Sequence, residues 1–253
     1  FVSSIQVNKP YQANAADLAI QKDPEHFRVL DLTSGGARAS YFHNSVSGYH
    51  AAKLKRFNEL YDFYILQNNI NVLNMLNAKY IIAQDDDKNI FPYTNTDANG
   101  NAWFVTKLEQ VTDANTEILK LDSLNTKQVA ITSMKGLESK TFQTDSSATI
   151  QVEIYKPDYI KYQSESTVDG FAVFSEIYYN HGWNAYIDGE LLPYTRVNYV
   201  LRAMHIPSGK HTIEFKFEPD VIKTGSTIAL ASSVIFGLLC LGGLFYGFKR
   251  KTE

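Results

Sequence analysis

The stretch HTIEFKFEPDVIKTGSTIALASSVIFGLLCLGGLFYGF, residues 211–248, changes its hydrophobic period once, and that change divides the chain. His211, Ile213, Phe215 and Phe217 alternate with Thr212, Glu214, Lys216 and Glu218. Successive strand side chains point to opposite faces, so this pattern is a strand with one buried face. From Gly225 to Phe248 there follow 24 residues without a charge. At about 1.5 Å per residue they cover the roughly 30 Å hydrocarbon core of a bilayer. Lys249, Arg250 and Lys251 come next, whereas EPDVIKTG ahead of the run is of mixed charge. The positive-inside tendency then assigns residues 249–253 to the cytoplasm and residues 1–222 to the outer side of a bacterial cytoplasmic (inner) membrane. Gly225, Ala229, Ser233 and Gly237 recur at every fourth position, and Gly243 with Gly247 repeats the spacing. A face of small side chains lets another helix approach closely. The expected partners of this segment are the lipid bilayer and upstream transmembrane helices of the same protein.

Outward from the strand, residues 148–222 keep the period of two. GFAVFSEIYY and WNAYIDGELLP flank Gly182, Asp188 with Gly189 is a two-residue hairpin signal, and Ser208 with Gly209 marks the turn before the last strand. Short strands joined by tight turns predict an antiparallel β-sandwich or jelly roll. Residues 1–147 read as mixed α and β. A helix is predicted over Ala15 to Ile20 and a buried strand over Arg28 to Leu32, ending in a turn at Gly35 and Gly36. Leu54, Phe57, Tyr61 and Tyr64 recur at helical spacing, opposite Lys53, Lys55 and Arg56. NVLNMLNAKYIIAQ predicts a short helix running into a strand at Lys79 to Ala83; AWFVTKLEQV and KQVAITS supply one strand each around a helix from Asn115 to Leu121, and DDDKNIFPYTNTDANGN reads as a polar loop. The fold class is therefore α+β: a mixed α/β extracytoplasmic domain packed near the membrane, a small β-sandwich domain beyond it, and one C-terminal transmembrane helix.

Composition excludes several classes. The formal net charge is -3, and the basic tail hides a more acidic body without a basic stripe, which argues against nucleic acid. The single cysteine, Cys240, lies inside the apolar run, so a disulfide framework within the chain is impossible. Asp85, Asp87 and Asn89 begin like a calcium loop, but Ile90 stands where glycine is needed and Thr96 where a glutamate belongs. No phosphate-cradling glycine loop, nucleophile elbow or metal-spaced histidine pair is present. No catalytic residue, metal or cofactor is assigned. A hydrolytic carboxylate pair among Glu153, Glu165, Asp169, Glu176 and Asp188 is weighed against carboxylates that simply face solvent.

Two clusters are candidate ligand sites. In SYFHNSVSGYHAAKLKRF, Gly48 would form a tight turn and His43, Tyr49, His50, Lys53 and Arg56 would gather as an anion-attracting surface for phosphate-linked sugars or lipid headgroups. The alternative is a solvated basic helix face. In FSEIYYNHGWNAYIDG, Tyr178, Tyr179, Trp183 and Tyr186 would stack on sugar rings while Asp188 or Asn184 accepts hydroxyls, or else the rings fill the sandwich core and Asp188 only shapes the hairpin.

SYFHNSVSGYHAAKLKRFNEL, VLNMLNAKYII, GNAWFV, FSEIYYNHGWNAYIDG and RVNYVLRAMHIPSGKHTIEFKFEP together resemble the C-terminal part of YfhO-family bacterial membrane proteins, most closely Bacteroidetes-type members, from about Asp23 to Pro219. Ser47 departs from the family, in which a second glycine often precedes Gly48. The resemblance implies a polytopic protein similar to type-C glycosyltransferases, which take sugars from polyprenyl-phosphate donors and transfer them to envelope acceptors. It implies a catalytic acid in an early extracytoplasmic loop outside these residues, and an accessory role in binding or positioning substrate for this portion. A non-catalytic carbohydrate-binding or structural envelope module is the alternative.

Overall fold

The computed structural model describes residues 11–48 and 52–251. Helix α1 (Ala15–Ile20) begins where predicted because Asn14 and Asp17 cap it reciprocally: the Asp17 amide donates to Asn14 Oδ1 at 2.9 Å and the Asn14 amide to Asp17 Oδ2 at 2.8 Å. Strand β1 (Arg28–Asp31) lies parallel to β2 (Ala78–Gln84), and β3 (Ile90–Thr94) pairs antiparallel on the far side of β2. Strand β3 lies in the stretch read as a polar loop. It tolerates Pro92 because it is an edge strand, where a missing N–H need not cost a ladder bond.

Gly35 and Gly36 do not end strand β1 in a simple turn; Gly35 caps helix α2 (Gly36–Phe42). A Cβ on Gly36 would lie 3.0 Å from the Gly48 Cα and amide nitrogen, so these glycines are matched by close backbone approach. The predicted amphipathic helix is present as α3 (Lys55–Leu60), which widens into a π-turn over Tyr61–Ile65. Leu60, Tyr64 and Ile65 are buried, and Phe57 and Tyr61 pack partly against the same core, whereas Leu54, predicted to face inward, is the exposed residue that precedes the helix. Helix α4 (Ile70–Met75) follows, capped by Asn69.

AWFVTKLEQV is two strands. Strand β4 (Ala102–Val105) pairs antiparallel with β10 (Gly170–Ile177), and β5 (Lys107–Gln110) pairs parallel with β6 (Val129–Thr132) across helix α5 (Ala114–Lys120). The Thr106 and Lys107 amides both donate to the Gln128 carbonyl, which bends the chain from one sheet to the other. A short strand β7 (Lys140–Thr141) completes the β6-β5-β7 sheet.

The remaining strands are β8 (Thr149–Lys156), β9 (Tyr159–Ser166), β11 (Trp183–Ile187), β12 (Glu190–Leu192), β13 (Thr195–Val197), β14 (Leu201–Ile206) and β15 (Gly209–Phe217). With β4 and β10 they form two facing antiparallel sheets, ordered β13-β14-β10-β4 and β12-β11-β15-β9-β8. Their inner faces meet through Tyr162, Phe174 and Phe215, with ring centroids 4.9 Å apart for Tyr162 and Phe174 and 5.0 Å for Phe174 and Phe215. Asp188 and Gly189 take φ of 51° and 86°, the left-handed pair that a two-residue hairpin needs.

Helix α6 (Asp220–Lys251) follows β15, beginning earlier than the uncharged run. It is long and apolar enough over Asp220–Gly243 to cross a membrane, and Ile228, Leu230, Val234, Ile235 and Phe236 are exposed around it. Its small-residue face is open, and Ser233 Oγ donates to the Ala229 carbonyl at 2.8 Å, which satisfies that hydroxyl within the helix. The sandwich, rather than the mixed α/β portion, carries the joint to this helix.

One polar contact ties the parts together. Arg28 Nη1 donates to the carbonyls of Leu76 (2.9 Å) and Ser175 (2.6 Å), and Nη2 lies 3.4 Å from Glu176 Oε1. Ser175 Oγ donates to the Met75 carbonyl at 3.0 Å, and Tyr155 Oη to Glu176 Oε2 at 3.2 Å. His26 stacks on Tyr155 with centroids 3.5 Å apart, and burial, with the Arg28 charge second, pushes its pKa down to about 4.

Removing one partner of a buried pair strands the other, at a cost of about 3–5 kcal/mol. Arg28→Ala should lower unfolding stability by roughly that amount in urea titrations, more than Lys55→Ala, whose side chain is 90% exposed. His26 should destabilise in acid: the unfolded imidazole takes its proton below its ordinary 6.5 and the folded one only near 4, so stability falls between those values. Stability measured against pH should lose this component in His26→Phe.

Candidate functional site

Helix α3 divides a cleft into two connected depressions that share Leu54, Phe57 and Ile177. One, of about 370 Å³, is walled by Ser45, Ser47, Lys53, Asn58 and Tyr61. The other, of about 290 Å³, is walled by Arg56, Tyr178, His181, Arg196 and Tyr199. The second has the more distinctive chemistry. The Arg56 guanidinium lies 4.5 Å over the Tyr199 ring and that of Arg196 lies 5.8 Å from the Tyr178 ring, within cation–π range. Arg196 Nε is buried without a hydrogen-bond partner, and Arg56 Nη1, also without one, is held only by the charge of Glu117 at 3.5 Å. Such a group costs free energy unless a ligand or water satisfies it.

The buried carboxylate of Glu117 holds this half together. It accepts from the Tyr199 amide at 2.9 Å and from Ser133 Oγ at 2.5 Å, and lies 3.5 Å from Arg56 Nη1. Burial, and then the Arg56 charge, lowers the Arg196 pKa, with Glu117 opposing. Burial, and then the hydrogen bond to Glu59, pushes the Tyr199 hydroxyl up to about 12, so it stays protonated and donates to Glu59 Oε2 at 2.5 Å. Asn198 and Tyr199, the β13–β14 turn, have φ of 48° and 70°. Left-handed backbone at a tyrosine is strained, and strain of this kind concentrates at functional positions. The turn is held by Asn198, whose amide donates to the Ile131 carbonyl at 2.8 Å and whose Oδ1 accepts from the Ile131 amide at 3.0 Å.

The structure separates the residues of the first sequence cluster. His43 is buried, its Nε2 2.8 Å from Asp17 Oδ1, and serves that carboxylate instead of the cleft. Burial disfavours the Asp17 charge, but hydrogen bonds from Arg38, the Asn14 amide and His43 outweigh it and lower its pKa. Lys53 reaches the larger depression with Nζ 5.9 Å from the Tyr61 ring, and Arg56 the smaller one. Tyr49 and His50 lie outside the described residues. Gly48 takes no left-handed φ; its part is the close approach to Gly36.

The second cluster also divides, because side chains three apart on a strand face opposite ways. Trp183 turns toward the sandwich core, where the Arg202 guanidinium covers its ring at 4.3 Å. Tyr186 points outward, donating from Oη to Glu218 at 2.8 Å, with Lys216 Nζ 4.7 Å from its ring. Asp188 accepts from the Thr212 amide at 2.8 Å and contacts His211 Nδ1 at 2.6 Å, so both oxygens serve the hairpin. Tyr178 and Tyr179 line the cleft, joining Arg56 there. The carboxylates weighed as a hydrolytic pair have separate partners: Glu153 pairs with Lys161, Glu165 with Lys210, Glu176 with Arg28, and Asp169 accepts from the Ser208 amide. Arg196, Tyr199 and Glu117 were not candidates from sequence. The dipeptide Asn198-Tyr199 is the sole local signal for their meeting, and a weak one, since tyrosine rarely adopts positive φ.

Residues 53–229 match the family model described as bacterial membrane protein YfhO. No curated protein and no solved structure matches the chain.

The contact with Asp188, against a smaller effect of burial, raises the His211 pKa above its ordinary 6.5, and the Thr212 amide, with His211 second, lowers that of Asp188 below 3.8. The histidine's contribution is complete below pH 6.5 and is lost as pH rises through the raised value; the aspartate's is lost as pH falls through the lowered one. His211→Gln should therefore flatten the decline of thermal stability on the alkaline side of pH 6.5 while leaving the acid limb in place.

Proposed function

The chain belongs to the YfhO family of bacterial membrane proteins, and from that premise we propose that its extramembrane part is the extracytoplasmic accessory portion of a membrane-embedded type-C glycosyltransferase. In this reading the α3 cleft positions a polyprenyl-phosphate sugar, catalysis belongs to membrane-embedded parts of the protein outside these residues, and helix α6 packs among further membrane helices. The observation that carries it is the pairing of an apolar floor, Leu54, Phe57 and Ile177, with the incompletely bonded guanidinium groups of Arg56 and Arg196 beside Tyr178 and Tyr199. A lipid-linked sugar phosphate has matching parts: oxygens for guanidinium N–H groups and a sugar ring for tyrosine faces.

A glycan-binding envelope module is the second reading. It draws on a separate groove of about 380 Å³ lined by Asn71, Asn74, Asn99 and Asn125, polar side chains of the kind that meet sugar hydroxyls, with the Nδ2 groups of Asn71 and Asn99 already donating to the Asp122 carbonyl and Thr126 Oγ1.

Losing a charge-assisted hydrogen bond costs about 1.5–3 kcal/mol, or roughly 10- to 100-fold. Arg56→Gln and Arg196→Gln in the intact membrane protein should each lower transfer from a polyprenyl-phosphate sugar by about that factor. Asn125→Ala should leave transfer unchanged. Normal transfer in both arginine variants, with glycan binding lost in Asn125→Ala, would replace this reading with the second. Sugar transfer by residues 1–222 alone would overturn the accessory assignment.

A further inference from the structure

Strand β15 ends at Phe217 and helix α6 starts at Asp220, so only Glu218 and Pro219 separate the sandwich from the membrane helix. The joint is pinned on several sides. The Glu218 amide donates to the Gly182 carbonyl at 2.6 Å, and its carboxylate accepts from Asn184 Nδ2 at 2.9 Å and Tyr186 Oη at 2.8 Å. Pro219 lies so close to Gly182 that a Cβ there would be 2.9 Å from Pro219 Cβ and 2.9 Å from Phe217 Cε2. The Ile222 amide donates to the Pro219 carbonyl at 3.0 Å, which starts the helix directly from the joint.

The height of this end of the sandwich above the bilayer follows from helix geometry. Between Asp220 and the uncharged run at Gly225 the helix rises about 1.5 Å per residue, roughly 7 Å in all. The polar layer on each side of a bilayer is about 5–8 Å thick. Gly182 and its neighbours therefore stand at the outer edge of the headgroups. That end face carries Tyr179, 38% exposed, and Phe217, 37% exposed, with His181 against Tyr179 and half-buried Trp183 across the strand pair from Phe217. Trp183 and Phe217 are in ring contact, with centroids 5.4 Å apart. Aromatic rings with a polar edge favour the membrane–water interface.

We propose that this end face is a second membrane contact: the two-residue joint docks Tyr179 and Phe217 in the lipid headgroup layer, with the half-buried Trp183 ring directly behind Phe217, and holds the extramembrane part against the bilayer, not tethered above it. This docking does not depend on what the cleft binds. It also brings the Arg56–Arg196 half of the cleft close to the lipid surface, because Tyr178, Tyr179 and His181 of the same loop form its wall.

The chain has two tryptophans, and Trp103 is buried, donating to the Thr126 carbonyl at 2.9 Å. Trp103→Phe thus isolates Trp183 as the reporter; if that variant misfolds, the difference between the native protein and Trp183→Phe reports the same ring. The protein is reconstituted in phosphatidylcholine–phosphatidylglycerol vesicles containing lipid with a nitroxide on its headgroup, or instead at the end of its acyl chain. Loss of Trp183 emission with the headgroup probe, and not with the acyl-end probe, is the expected result. No loss with the headgroup probe overturns the proposal. A second form carries about six Gly and Ser residues between Pro219 and Asp220, a flexible spacer of roughly 12–15 Å. It should recover the emission, and quenching at undiminished strength there would overturn the role of the joint.

Discussion

The Arg28 guanidinium leaves strand β1 and reaches the carbonyls of Leu76 and Ser175 and the carboxylate of Glu176, so one side chain spans the parallel β1–β2 pair, the end of α4 and strand β10. Arg28 and Glu176 keep only 16% and 10% of their side-chain surface exposed, so both are largely withdrawn from water. Desolvating them is expensive, and the network compensates only when complete: Ser175 Oγ turns to Met75, Tyr155 takes the other Glu176 oxygen, and His26 stays neutral on the Tyr155 ring. The guanidinium, with fixed donor directions, adds a directional constraint to the apolar packing on either side.

Arg28 also lines the larger depression, where α3 meets Ile177 of β10, so the same contact borders the cleft. The cleft contains no contiguous motif. Arg56 comes from α3, Glu117 from α5, Tyr178 from the end of β10, and Arg196 and Tyr199 from the β13–β14 hairpin. Glu117 binds the Tyr199 amide and attracts Arg56, so a single buried carboxylate orients both ring and cation. The left-handed Asn198 and Tyr199 are held by Asn198 imitating a strand partner of Ile131. Strain at the turn is thus balanced by hydrogen bonds formed elsewhere.

The same end of the molecule roots helix α6. Gly182 is needed there twice over, for a φ of 109° and for the space that Phe217 and Pro219 occupy. A bulkier residue would move the joint itself, which couples a loop of the cleft to the angle of the membrane helix.

The sequence by itself determined the features set by local periodicity and turn chemistry. The period of two in residues 211–217 produced β15, Asp188 with Gly189 produced a hairpin, Asn14 with Asp17 started α1, and the uncharged run produced a helix long and apolar enough to cross a membrane. Tertiary structure decided what periodicity cannot carry. The strand Ile90–Thr94 stands out only when β2 offers it an edge, and AWFVTKLEQV divides only because two different sheets compete for it. His43 looked free to bind an anion until Asp17, 26 residues away, claimed it. Tyr199 and Glu59 meet across 140 residues of sequence. Spacing along a chain constrains neighbours on one helix face or strand, but a cleft assembled by packing depends on which buried charges find partners, and that is fixed only when the layers close.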